Sequence, residues 1–213
     1  DSSTSRGLGD VYKRQLVRRL FLDVIGLPPT LEEQRNFQAV YSNESPGRAV
    51  EVFLEDLFGR KEFGEKWARH WLDIARYADS NGSDFNLTYP EAWRYRNYVI
   101  EALNDDLPYD QFLLEQIAGD LLPYDTIEQR NRQLVATTFL MIGPKMLTER
   151  DKEKMRLDIA DEQLDTISRA TMGLTLGCAR CHDHKFDPIP TTDYYALAAI
   201  LHSTLTTDGI LMN

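Results

Sequence analysis

Apolar residues recur at three- and four-residue steps along most of this chain. Leu16, Val17, Leu20, Phe21, Val24 and Ile25 form one helical face, which Gly26 and Pro28-Pro29 stop. Thr30 followed by Glu33 is a capping-box pattern, and it opens a second predicted helix running to about Tyr41. A polar turn over 42–46 leads to a third helix, Arg48 to Phe58. The clearest stripe lies in Glu62 to Ala78, where Trp67, Trp71, Ile74 and Ala78 share one face. Asp79 to Tyr89 is rich in Ser, Asn, Gly and Asp and reads as a long loop. Further helices are predicted over Glu91 to Leu103, Pro108 to Ala118, Ile127 to Ile142, Arg156 to Met172 and Thr191 or Thr192 to His202. The charged stretch Lys145 to Lys154 reads as a mobile excursion. No segment alternates as a half-buried strand would. The expected fold is all-α, an irregular multi-helix domain with long loops.

Composition changes this picture little. The 213 residues suffice for one good-sized domain or two small ones. A formal net charge of −10 argues against a nucleic-acid partner, which would call for a basic patch. No apolar run reaches the roughly 18 residues of a membrane-spanning helix, so no transmembrane segment is expected. The segment from Ser5 to Gln15 resembles a translated adaptor sequence. Residues 1–15 are therefore expected to be a non-native or disordered leader, 16–207 the helical domain, and 208–213 the truncated start of a following segment.

The chemistry concentrates in Cys178-Ala179-Arg180-Cys181-His182, near the C-terminal end. It uses both cysteines of the chain. C-x-x-C-H is the attachment signature of a c-type haem. Two thiols three positions apart can each add to a vinyl group, and the adjacent imidazole can ligate the iron. Asp183, Asp187 or a backbone carbonyl would orient the His182 ring through its second nitrogen. Haem attachment implies an exported, periplasmic location. Other readings of the same residues stand beside this one. A thioredoxin-type pair belongs near a βαβ pattern, which is absent here. A zinc site would need a second ligand couple beyond Cys178, Cys181 and a histidine. A disulfide staple, or two structural cysteines beside a chance histidine, needs nothing more.

For the sixth iron position His70 comes first, on what is expected to be the half-buried shoulder of the Trp67/Trp71 stripe. His202, Met141, Met146, Met155 and Met172 are other candidates. His184 lies too close to His182 to reach the opposite haem face. For each of these a packed or solvated side chain is the plain alternative. Glu65, Asp73, Asp79 and Asp84 could line a sugar cleft as acid–base carboxylates, which would require a defined separation. Trp67, Trp71 and Trp93 read as core or haem-wall aromatics. Asp158, Asp161, Glu162 and Asp165 form an acidic helix face, read as solvation.

Five blocks together resemble a known family. They are Arg18 to Thr30, Trp67 to Asp79, Trp93 to Ile100, Gln116 to Pro123, and Gly173 to Ile189 continuing to Leu197. In this order, from about Leu16 to about Thr207, they resemble the DUF1549 domain, the planctomycete cytochrome-type PSCyt2 family. The resemblance implies a slice of a larger exported protein. Its neighbours there would be a cytochrome c-like domain and a DUF1553 domain, and a redox partner is possible beyond them. It implies haem c, with zinc as the lesser alternative, and carries no reaction with it. Asp73, Arg76, Asp79, Trp93 and Arg94 fall in matching blocks without an implied role. The expected function is haem-based electron transfer or redox chemistry, linked by association to polysaccharide processing. A carbohydrate-active enzyme and a structural module are the alternatives.

Overall fold

A computed structural model describes residues 2–82, 87–146 and 148–204, with side chains from Asp10 onward. The described residues are all-α, and the only extended pairing among them is an isolated bridge between Ser80 and Thr88. The helices are α1 (Ser2–Val24), α2 (Leu31–Asn43), α3 (Pro46–Phe58), α4 (Lys61–Ile74), α5 (Ala92–Asn104), α6 (Tyr109–Ala118), α7 (Ile127–Ala136), α8 (Lys152–Met172) and α9 (Thr191–Ser203). None is long and apolar enough to cross a membrane. The chain divides into two compact units, Asp1–Arg69 with Val99–Pro108, and His70–Tyr98 with Tyr109–Asn213.

The first unit is built on α1, α2 and α3. Val17, Phe21 and Val24 of α1 meet Phe37 of α2 and Ala49, Phe53 and Leu57 of α3 in one buried cluster. Phe37 and Phe53 pack edge to face at 5.2 Å, the favourable sense for two ring quadrupoles. The predicted capping box is formed: Thr30 Oγ1 accepts from Glu33 N–H at 3.2 Å, and Glu33 Oε2 accepts from Thr30 N–H at 2.6 Å. The orphan carbonyls at the end of α1 are satisfied by α4. Lys66 Nζ donates to Leu22 O at 2.8 Å, and Trp67 Nε1 to Val24 O at 3.0 Å.

The second unit has an aromatic centre. Trp71 lies against Phe112 at 4.9 Å and Phe139 at 5.5 Å, and Tyr98 stacks on Phe112 at 5.9 Å. Two helices end earlier than their apolar pattern. α4 stops at Ile74, not Ala78, because Arg76 adopts φ 55 and Tyr77 N–H donates back to Leu72 O at 2.9 Å. This is a Schellman-type stop without a glycine. α7 stops at Ala136 and tightens into a 3-10 turn, Thr137–Leu140, where the Thr137 hydroxyl donates to Leu134 O at 2.8 Å.

The stretch Lys145 to Lys154 is held at both ends, against the expected excursion. Lys145 is buried, and its N–H donates to the carbonyl of the fully buried Asn81 at 3.2 Å. Asn81 Nδ2 donates back to Lys145 O at 3.1 Å, and Lys152 already lies in α8. Asn81 Oδ1 also accepts from Leu87 N–H at 2.8 Å.

Candidate functional site

α8 organises the cysteine motif. Asp151 caps its start by accepting from Lys154 N–H at 3.0 Å. Gly173 ends it at φ 67, a left-handed conformation that glycine adopts without strain. The chain then turns back through a 3-10 turn, Gly177–Arg180. Leu176 and Ala179 bury themselves with Leu164 of α8 and Tyr194 and Ala198 of α9. Because Ala179 is the inward residue of the turn, Cys178 and Cys181 face out. Both are exposed, free thiols.

The acidic face of α8 is engaged, not merely solvated. Arg180, between the two cysteines, donates through Nη2 to Asp158 at 2.8 Å and through Nη1 to Asp161 at 3.2 Å. Asp161 also accepts from the Tyr194 hydroxyl at 2.5 Å. Asp165 accepts from Leu176 N–H at 3.2 Å and pairs with Arg169 at 2.6 Å. Glu162 pairs with Arg76. On its other side Arg180 is held by its carbonyl, which accepts from the Tyr195 hydroxyl at 3.0 Å. Hydrogen bonds from Lys154 and then Arg180 hold the Asp158 carboxyl below its usual range despite some burial. Burial pushes the Tyr194 phenol up, and its bond to Asp161 adds to that. Burial pushes the Arg76 guanidinium down, to about 10, while the charges of Tyr95 and Asp165 work the other way.

The two motif-side histidines differ in kind. His182 is exposed, and its Nδ1 lies 2.8 Å from Asp183 O. A carbonyl only accepts, so this contact is a hydrogen bond when Nδ1 carries the proton, the tautomer that leaves the Nε2 lone pair open. Of the partners expected for this ring, the backbone carbonyl is the one used. His184 is less exposed: its Nδ1 lies 3.0 Å from Asp187 N–H and 3.2 Å from Asp187 Oδ2. These contacts tie His184 into the turn.

The family model PSCyt2, described as a protein of unknown function (DUF1549), matches residues 7–206. This chain belongs to the PSCyt2 family. No curated protein and no solved structure matches it. Three of the blocks that carry the PSCyt2 resemblance meet at one buried node. Trp71 Nε1 donates to Gln116 Oε1 at 2.7 Å and to the Tyr95 hydroxyl at 3.0 Å, and the Tyr95 hydroxyl donates to the same Gln116 oxygen at 2.5 Å. Gln116 and Tyr95 are both fully buried. Trp71 is half-buried and anchored at this node, whereas Trp67 and Trp93 are more exposed, at 41% and 44%.

The other candidates are dispersed. His70, expected half-buried, is exposed on α4, and it does not line the hollow that Cys178 borders. His202 pairs with Glu153 at 3.2 Å, Met141 Sδ accepts from Gln163, and Met146 and Met172 are exposed. Asp79 accepts from the Tyr77 hydroxyl at 2.7 Å, and Arg94 pairs with Glu91 while covering the Trp93 ring. Glu65 lines a hollow of the first unit, and Asp73 lines a hollow of the second together with Arg76, Glu162, Asp165 and Arg169. Asp84 lies outside the described residues. Among the described residues no three His, Cys, Asp or Glu side chains converge as a metal-holding group.

Two hollows flank Arg180. One, of about 620 Å³, is bordered by Cys178, Asp158, Asp161, Glu162 and Asp165. The other, of about 380 Å³, has mainly apolar walls of Leu157, Ala160, Tyr194, Tyr195 and Ala198. The donor chemistry fits a c-type haem: two unbridged outward thiols and an imidazole with a free Nε2. Neither hollow has Cys181 or His182 in its wall, and both residues are exposed, so these donors would hold such a group from the surface.

Proposed function

We propose that this chain is an exported domain that carries a covalent haem c for electron transfer within a larger assembly. Cys178 and Cys181 would hold it through thioethers and His182 through Nε2. Each thioether forms when a thiol S–H adds across a vinyl C=C, the proton passing to the vinyl carbon, so attachment consumes no oxidant. The bound group supplies a one-electron iron centre. The observation that carries this reading is the His182 ring beside two free thiols: Nδ1 turned to the Asp183 carbonyl leaves Nε2 available, as a metal-ligating imidazole requires.

The chain's own residues set the character of such a centre. Surface placement favours the more positive oxidised state and so a low reduction potential. The net charge of −10 suits a redox partner that presents a basic face. The family resemblance supports a place beside cytochrome c-like and DUF1553 domains, in the periplasm or an equivalent exported compartment.

The test is haem staining after denaturing electrophoresis of the chain made in a host that matures c-type cytochromes. A stained band for the wild type, lost in the Cys178→Ser/Cys181→Ser variant, supports the reading. An unstained wild-type band overturns it.

A further inference from the structure

We infer that Asp158 and Asp161, acting through Arg180, are positioning residues for the two thiols, so that the acidic face of α8 forms part of the attachment site. The inference rests on the haem reading for its purpose but not for its geometry. Arg180 is gripped at both ends, its guanidinium by Asp158 and Asp161 and its carbonyl by the Tyr195 hydroxyl. Asp161 is itself fixed by Tyr194, a core residue. Ala179 is fully buried next to it. The two middle residues of C-x-x-C are therefore immobilised, one by packing and one by charge, and the thiols that flank them are held outward and apart.

Two thiols at this spacing have a competing fate. Oxidised glutathione takes two electrons and two protons from the pair, giving a Cys178–Cys181 disulfide and two reduced glutathiones. A disulfide requires the two Cβ atoms to approach to about 4 Å. The turn must deform for that, against the Arg180 contacts. The clamp thus disfavours the disulfide and preserves the dithiol that addition to two vinyl groups needs. Arg180 has no counterpart role as a ligand; it acts through the turn it holds.

The experiment uses the full chain made without haem maturation and equilibrated across ratios of oxidised to reduced glutathione. The disulfide fraction is read by alkylation and mass. Asp158→Asn/Asp161→Asn should form the disulfide at a ratio about fivefold to tenfold lower than the wild type, as expected from losing two partly screened, charge-assisted contacts. Lys154→Gln, which removes another partner of Asp158 and leaves the Arg180 contacts, should not shift the midpoint. Asp161→Glu should restore most of the wild-type value. Should the double variant fail to fold by circular dichroism, Arg180→Gln carries the same prediction. Equal midpoints for the wild type and a folded clamp variant overturn the inference, even where the wild type carries haem. In the maturing host the same variants should show less stained haem per chain than the wild type, whereas an unstained wild type defeats the haem reading and leaves the thiol result standing.

Discussion

Replacing Gln116 by leucine tests the buried node that joins α4, α5 and α6. Leucine is close in volume, so packing changes little, but the shared acceptor disappears. Gln116 Oε1 takes hydrogen bonds from both Trp71 Nε1 and the Tyr95 hydroxyl, and Tyr95 is fully buried. The indole keeps its bond to the Tyr95 oxygen at 3.0 Å, so the tyrosine proton is the group left without a partner. An orphaned buried donor costs about 1–3 kcal/mol, and the lost indole bond adds about 1 kcal/mol. The added apolar side chain offsets part of this, leaving a net cost of roughly 2–3 kcal/mol. For a chain of this size that corresponds to a Tm lower by about 4–12 °C. Removing the stranded donor as well should recover stability. Tyr95→Phe/Gln116→Leu is expected to cost at least about 1 kcal/mol less than the sum of the single variants. Urea unfolding followed by far-ultraviolet circular dichroism and tryptophan emission measures all four proteins. Strict additivity, or a single Gln116→Leu variant as stable as the wild type, would refute the node as a source of stability.

Two other perturbations follow from the charges. Arg132→Ala strands Glu115, whose side chain is fully buried and otherwise met by Tyr98 and Gln111; a loss of about 3 kcal/mol is expected in urea, well above the ~1 kcal/mol of an exposed pair, and Arg132→Ala/Glu115→Gln should recover part of it. Asp158 has a folded pKa below its ordinary 3.8, so its contribution is complete above that pH and is lost as pH falls through the folded value. The stability gap between the wild type and Asp158→Asn, less than about 1 kcal/mol because the pair is partly exposed, should be present at neutral pH and close below about pH 3.8. A gap that widens on acidification would contradict the assigned sign.

The helices were legible because apolar spacing and local capping both point the same way. Thr30 with Glu33 caps α2 as its pattern predicts, and the apolar face of α1 is the one buried in the first core. What sequence periodicity does not carry is the fate of polar residues. Arg76 ends α4 early because its backbone turns left-handed, a place where glycine is the usual signal. His70 shares the neighbourhood of Trp71 but rotates outward, since Gly64 and Ala68 are the buried positions of α4. The row 158, 161, 162 and 165 has the charge of a solvated face, and only the return of the chain after Gly173 brings Arg180 and Leu176 onto it. The outward thiols of the motif and the orientation of the His182 ring are details that packing and a single carbonyl decide.

The central claim is that Cys178, Cys181 and His182 hold a haem. The most direct measurement is the intact mass of the denatured chain, made in parallel in hosts with and without c-type maturation. The account predicts that the matured chain is heavier by one haem and that the added mass maps to a peptide containing Cys178 and Cys181. Identical masses from the two hosts, with both thiols still open to alkylation, would contradict it.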